Sequence, residues 1–283
     1  MSNEEQIAYW NGEAGERWAQ EDDRMARLLR PVAEALLDHI NPEPGSRAID
    51  IGCGGGSQSI LLAERLGGTG HVLGVDISGP LLGVARDKTQ AQFPEYAEMD
   101  FLQADASAHA FDPASVDLLF SRFGVMFFDD PTAAFTNMRP ALRNGGRLGF
   151  SCWQGVKENQ WVREPLQAAL QHVPPPEKPN PNAPGPFAFA DDNRVRGILG
   201  ESGFTDINLE PREVDMVFGN GGSLEQTVAE LVGIGPVSRL LMDQDDATRA
   251  RVVESVAEVM APYFSDGALQ MKGAVWFVTA TAA

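Results

Sequence analysis

Cysteine is nearly absent: 283 residues contain two, Cys53 and Cys152. Two thiols cannot build the disulfide framework of a small secreted domain or a four-ligand zinc site, so both are expected to stay reduced in the cytoplasm. Positive charge is also scarce. Against 40 acids stand 22 lysines and arginines, a formal net charge of -18, which disfavours binding to nucleic-acid phosphates or anionic lipid surfaces. No apolar run approaches the roughly 20 residues that span a bilayer. The start, Met1-Ser2-Asn3-Glu4-Glu5, is acidic where a leader would be basic and then apolar, so neither membrane insertion nor export is expected. Histidine is limited to His39, His71, His109 and His172, none with an evident acid partner. His109, just downstream of Asp105, is the best placed of them for a general base. No cluster predicts a metal.

What is present is ordinary core material, 43% hydrophobic residues, enough for one large α/β domain or two small ones. One stretch is uncommon. Ala48-Ile49-Asp50-Ile51-Gly52-Cys53-Gly54-Gly55-Gly56-Ser57 joins a short apolar strand to a helix start through small residues. Its glycines stand where a backbone must turn tightly and approach a ligand. A second apolar strand, from His71, ends in Asp76-Ile77-Ser78, the spacing at which a βαβ unit offers a carboxylate to ribose hydroxyls. A third, Met99 to Ala104, ends in Asp105-Ala106. Acids at three successive strand ends suit a ligand with an amine and a diol, and they repel phosphate. Each also has a plainer reading: a structural turn for the glycines, a water-facing acid at Asp76, a turn cap at Asp105.

Asp50 to Gly56, Asp76, Asp105-Ala106, the strand Val116 to Phe123, and the run Asn137 to Leu148 with its Gly145-Gly146 turn follow one another in order. Over about residues 44 to 153 this resembles the class I S-adenosylmethionine-dependent methyltransferases. The layout on either side is most similar to their ubiquinone and menaquinone biosynthesis type and related natural-product enzymes. The resemblance implies an α/β, doubly wound, Rossmann-like, seven-stranded and mostly parallel sheet, with an amino-terminal helical cap and a lid insertion. It implies S-adenosylmethionine as cofactor and a small-molecule methyl acceptor as partner, probed by apolar or aromatic walls. The implied cofactor residues are Trp10, Trp18, Asp50, Gly52, Cys53, Gly54, Gly56, Asp76, Ile77, Asp105, Ala106, Ser121 and Arg122. The implied acceptor residues are Met126, Phe127, Trp153, Phe187 and Phe189. Trp10 and Trp18 would lie over a sulfonium or ammonium cation, or simply pack in the core. Arg122 would bind a substrate acid or, more plainly, pair with Asp50 or Asp105.

Along the chain, apolar spacing predicts a cap over 1–43, with Ile7, Tyr9, Trp10 and Trp18 in one portion and Met25 to Leu37 in the next. The binding core follows over 44–153, a proline-rich connector or lid over 154–190, and a part completing the sheet and covering the cleft over 191–283. Helices are expected at 57–66, 80–90, 131–142, 159–171, 191–200, 224–241 and 247–264, and late strands at 204–217 and 271–280. Methyl transfer from a sulfonium needs positioning and a dry cleft but no triad or metal, so the sequence names no catalytic residue beyond the weak candidate His109. Two rivals share these features: a nicotinamide-dependent oxidoreductase, which would want a glycine where Ser57 stands, and a non-catalytic cofactor-binding module. Oligomers are compatible with all three.

Overall fold

In the computed structural model residues 3–92, 98–175, 180 and 182–282 are described. The expected lid therefore falls partly, at 176–179 and 181, outside the described residues. Three helices come first, α1 (Asn3–Asn11), α2 (Glu13–Gln20) and α3 (Asp22–Ile40). Strand and helix then alternate through β1 (Arg47–Ile51), α4 (Ser57–Leu66), β2 (His71–Asp76), α5 (Gly79–Gln92), β3 (Glu98–Gln103), β4 (Val116–Arg122), α6 (Pro131–Met138) and β5 (Leu142–Trp153). The remainder runs α7 (Gln160–Ala169), α8 (Asp192–Glu201), β6 (Phe204–Phe218), α9 (Leu224–Val232), α10 (Gly235–Leu241), α11 (Asp246–Met260), β7 (Phe264–Ser265) and β8 (Ala268–Ala282).

The sheet order is β3-β2-β1-β4-β5-β8-β6, with the two-residue β7 paired to β8 off that path. The seven strands of the path are the seven expected. β1 pairs in parallel with both β2 and β4, and four of its five residues are buried, as a strand covered on both faces must be. Strand order reverses between β1 and β4. In open α/β sheets ligands bind beyond the carboxyl ends of the strands at that switch point, which here means the ends of β1, β2 and β4.

The chain forms two compact units: Met1–Cys152 with Asn182–Pro211 and Trp276–Ala283, and Trp153–Pro181 with Arg212–Val275. The cap helices and the glycine-loop core thus share one unit, while the segments 154–190 and 191–283 read from the sequence each divide between both. In the first unit an aromatic cluster fills the core: Phe135 stacks on Phe150 with centroids 5.8 Å apart and meets Phe189 at 6.4 Å and Phe204 at 6.3 Å. In the second, Trp161 packs on Trp153 at 5.2 Å and Phe218 at 5.9 Å. The fully buried Asn159 ties this unit together by donating to Gln154 O and Ala274 O and accepting from Ala274 N.

Several expectations shift for local reasons. The helix expected over 224–241 is two, because Gly235 at φ +67° and Pro236 break it. The helix expected to reach Phe264 stops at Met260 and tightens into a 3-10 turn, Ala261–Tyr263, that contains Pro262. In the cap, Ile7 and Tyr9 are 40% and 44% exposed, so the apolar face that packs is carried by α3, where Leu28, Val32, Leu36 and Leu37 are buried.

Candidate cofactor site

The glycine loop is built from two layers. Below it lies Asp50, with no exposed surface, its carboxylate accepting from Ser59 Oγ at 2.6 Å and Gln58 Nε2 at 3.4 Å. Gln58 Nε2 also donates to Gly52 O. Asp50 therefore braces the first turn of α4 from inside. Burial pushes its pKa up to about 7, against the lowering effect of Ser59, Gln58 and Arg122. The folded state thus binds a proton that the unfolded chain has released above its own pKa of 3.8, so this group's contribution to stability falls as pH rises through about 4 to 7 and is flat beyond. Asp50→Asn should remove that slope, leaving the variant no less stable than the wild type at pH 8. The difference from wild type across the window is on the order of 4 kcal/mol at most. Thermal melts from pH 4 to 8 measure it, and an unchanged slope would contradict it.

Above Asp50, the turn depends on close backbone approach. Gly52, at φ +68°, packs so tightly on the loop after β4 that an added Cβ would lie 2.7 Å from Gly124 Cα. Gly56, buried at φ +79°, caps α4 and would press a Cβ to 2.9 Å from Ala85 Cβ. Gly54 differs: at φ +55° its added Cβ would meet nothing within 4 Å. It presents bare backbone to open space. Cys53 is 1% exposed, so its thiol is sealed in the core and only its backbone is available to a ligand.

Asp76 stands beside this open face. Its Oδ2 accepts from Gly54 N and its Oδ1 from Ser78 N, both at 2.8 Å. The carboxylate is thereby fixed, and each oxygen keeps a second lone pair for a hydroxyl donor. Burial raises its pKa while these amides pull it back. Along the rim, Asp105 Oδ1 accepts from Ser107 N and Ser107 Oγ, and Asn137 Nδ2 holds Ala106 O.

The cap is fastened to this rim by a residue the sequence reading passed over. Asn11 Nδ2 donates to Ile77 O at 2.9 Å, and its Oδ1 accepts from Gly79 N at 3.0 Å and Gln103 Nε2 at 3.1 Å. Ser78 Oγ donates to Trp10 O at 2.8 Å. These bonds set the Trp10 ring 5.9 Å from Trp18 and 5.8 Å from Phe127, bringing together three rings predicted separately. Asn11→Ala should loosen the cap at little cost to the fold, since Asn11 is exposed. Limited proteolysis should cut within residues 3–20 several times faster, with the melting temperature changed by less than about 3 °C. Unaltered cleavage would mean that the cap does not depend on this clasp.

A second contact bears on ligand charge. Asp22, at the start of α3, lies against Gly55, where any Cβ would collide with its carboxylate, and it pairs with Lys88, whose Nζ also donates to Ser57 Oγ. The first turn of α4 is where a dinucleotide's pyrophosphate would rest on the helix N-terminus. Here a carboxylate already occupies it.

Other candidates separate. Ser121 Oγ, 1% exposed, donates to Ile51 O and accepts from Gly124 N, which holds the loop. Arg122 acts electrostatically on Asp50, while its Nε is buried without a hydrogen-bond partner. Phe189 is 1% exposed and packs within the aromatic cluster. Met126 is 1% exposed, with Gly185 N donating to its carbonyl, while Phe127 and Phe187 are half-buried. Trp153 belongs to the second unit. His109 rests edge-on against Phe111 at 4.7 Å, with no acid joined to its ring among the described residues. Among those residues no helix is long and apolar enough to cross a membrane, and no His, Cys, Asp and Glu group is set to hold a metal ion.

The fold is thus a doubly wound sheet with a glycine turn at its switch point, an amide-held acid at the next strand end and the Asp22 carboxylate against Gly55. Comparison with known proteins agrees: residues 49–150 match the family model described as a methyltransferase domain. The chain belongs to the class I S-adenosylmethionine-dependent methyltransferases and is related to their ubiquinone and menaquinone type. Nocamycin O-methyltransferase of Saccharothrix syringae is 33% identical over 188 residues, 64% of this chain and 66% of that protein. Aklanonic acid methyltransferase DauC of Streptomyces sp. (strain C5) is 31% identical over 46% of this chain and 58% of its own length. The ubiquinone/menaquinone biosynthesis C-methyltransferase UbiE of Rhizobium leguminosarum is 31% identical over 43% and 47%. The match thus spans less than two thirds of each of these relatives. Among solved structures, a Haloferax volcanii methyltransferase in complex with its Trm112 activator has a TM-score of 0.57 at 18% identity, covering 94% of both chains. The [4+2]-cyclase SpnF has a TM-score of 0.54 at 16% identity, covering 89% of this chain and 80% of that one. At such identities these likenesses show the fold alone.

S-adenosylmethionine is the cofactor of this class, and the residues present fit it. Gly54 offers an open backbone cradle, Asp76 offers fixed acceptors for a diol, and the Asp22–Lys88 pair fills the space at the first turn of α4.

Proposed function

We propose that this protein transfers a methyl group from S-adenosylmethionine to a small apolar or aromatic acceptor. The observation that carries this reading is Asp76, locked by the amides of Gly54 and Ser78 beside the one loop glycine that faces open space. In this reading Asp76 takes the ribose hydroxyls, Asp105 and Ala106 flank the adenine, and the backbone from Gly52 to Gly54 follows the methionine portion. Ile77 packs beside the ribose, and Trp10 and Trp18 close over the cofactor from the cap, residues 1–43. Bound S-adenosylmethionine supplies a methyl on a sulfonium, and its leaving thioether is neutral and needs no proton. The chain's task is then to align the acceptor and keep water out. Phe127 and Phe187, both half-buried, are the proposed acceptor contacts; for Met126, Trp153 and the 154–190 cover the reading rests on sequence alone. The named relatives act on small molecules, which supports the acceptor class, and a cytoplasmic setting belongs to the same reading.

The fold does not fix the reaction, as a cyclase on the same fold illustrates. A radiolabelled-methyl assay over phenol, quinol and amine acceptors tests the proposal directly. Labelled product with release of S-adenosylhomocysteine is expected. Tight cofactor binding with no turnover across the panel would favour the non-catalytic module.

A further inference from the structure

At the carboxyl ends of β4 and β5, Arg122 and Ser151 are register partners in the parallel ladder. Partners in such a ladder lie about 4.8 Å apart and direct their side chains to the same face. Arg122 Nε and Ser151 Oγ are two of the three buried side-chain polar atoms without a hydrogen-bond partner among the described residues. Buried donors are rarely left unmet, and two adjacent ones on one face call for a shared acceptor. The nearby acids do not supply it. Asp50 is held by Ser59 and Gln58, and Asp22 by Lys88. The backbone enforces this exposure of need: Phe123, immediately after Arg122, is held at φ +66° with its amide donating to Ser151 O. A non-glycine residue in the left-handed region persists only where its surroundings require it, and such strain gathers at ligand sites. The packing of Gly124 on Gly52 fixes the same loop to the cofactor turn.

Resting on the proposed methyl transfer, we propose that Arg122 Nε and Ser151 Oγ form a two-donor seat for an anionic oxygen of the methyl acceptor, so that the enzyme selects acceptors bearing an ionised hydroxyl or carboxylate. One oxygen can accept from a guanidinium N–H and a hydroxyl together, and a charged donor favours the ionised form. A sulfonium or ammonium would be repelled there. In a chain of net charge -18, the half-buried Arg122 guanidinium, on whose charge Asp50 and Asp22 act, is a local feature that favours such a ligand. Burial lowers the pKa of Arg122 to about 10, with Asp50 and Asp22 opposing the fall, so it is cationic at neutral pH.

The test uses the full chain saturated with S-adenosylhomocysteine and two probes of similar size, 4-nitrophenol, whose absorbance reports ionisation, and its uncharged methyl ether, 4-nitroanisole. The wild type should bind the phenolate at least about tenfold more tightly than the ether and lower the apparent pKa of the bound phenol. Arg122→Gln should abolish the preference, and Ser151→Ala should reduce it severalfold, with S-adenosylhomocysteine affinity changed less than about twofold in both. Equal binding of the two probes by the wild type, or a preference that survives Arg122→Gln, would overturn the proposal. So would a loss of S-adenosylhomocysteine affinity in Arg122→Gln with 5′-methylthioadenosine, which lacks the carboxylate, unaffected: the arginine would then serve the cofactor. If a variant does not fold, the wild-type probe comparison still decides. Failure of the wild type to bind S-adenosylhomocysteine would count against the methyl-transfer reading, while the probe preference of the free chain would still report on the oxyanion seat.

Discussion

Asp76→Ala is expected to raise the dissociation constant of S-adenosylhomocysteine by more than about a hundredfold. The carboxylate is already aimed by Gly54 N and Ser78 N, so it need not be ordered on binding, and its remaining lone pairs are the acceptors a ribose diol requires. Two hydrogen bonds to a charged group contribute about 1.5 to 3 kcal/mol each, and about 3 kcal/mol already corresponds to a hundredfold. The variant also loses its ties to Gly54 and Ser78, so affinity by isothermal titration must be read beside a thermal melt. Asp76→Asn, which keeps one acceptor oxygen and approximate shape, should bind with intermediate affinity. Unchanged affinity in a folded Asp76→Ala protein would show that the ribose lies elsewhere.

The second large effect is a contrast between neighbouring glycines. Gly54→Ala places a methyl into the open space where the cofactor backbone should run. Its folding cost is that of one left-handed residue, about 1 to 2 kcal/mol, yet cofactor binding should fall below detection. Gly52→Ala drives its methyl into Gly124 and carries both left-handed strain and overpacking, together about 2 to 5 kcal/mol. That corresponds to a melting point lower by about 5 to 15 °C in a chain of this size. Melting and titration of the two variants side by side separate ligand contact from scaffold. A Gly54→Ala protein that binds as well as the wild type would mean that the open face is not the cradle.

The parts legible in the sequence were those set by local spacing. The strand, turn and helix around Asp50 to Gly56, and the next strand ending at Asp76, are nearest neighbours in both chain and sheet, so periodicity and glycine placement were enough. Which way a rim acid points was not legible. Asp50 and Asp76 look alike in sequence, but Gln58 and Ser59, in the first turn of the helix that follows, hold the first beneath the loop, whereas backbone amides fix the second beside it. Contacts distant along the chain gave no signal: Asp22 meets Lys88 across 66 residues and Asn11 meets Gly79 across 68. Among the phenylalanines, hydrophobicity alone could not distinguish Phe189, sealed in the core, from Phe127, ranged with the cap tryptophans. For Arg122 the sequence left an acid partner and a substrate acid both open; the hydrogen bonds of Asp50 go to Ser59 and Gln58, and Arg122 acts on it only through charge.

The central claim is that the rim grips a phosphate-free adenosyl group. Isothermal titration of the wild-type chain with S-adenosylhomocysteine and with NADH in parallel tests it most directly. Saturable micromolar binding of S-adenosylhomocysteine, with none of NADH, is the result predicted by Asp76 at the open loop and Asp22 at the phosphate position. Binding of NADH with none of S-adenosylhomocysteine would contradict it.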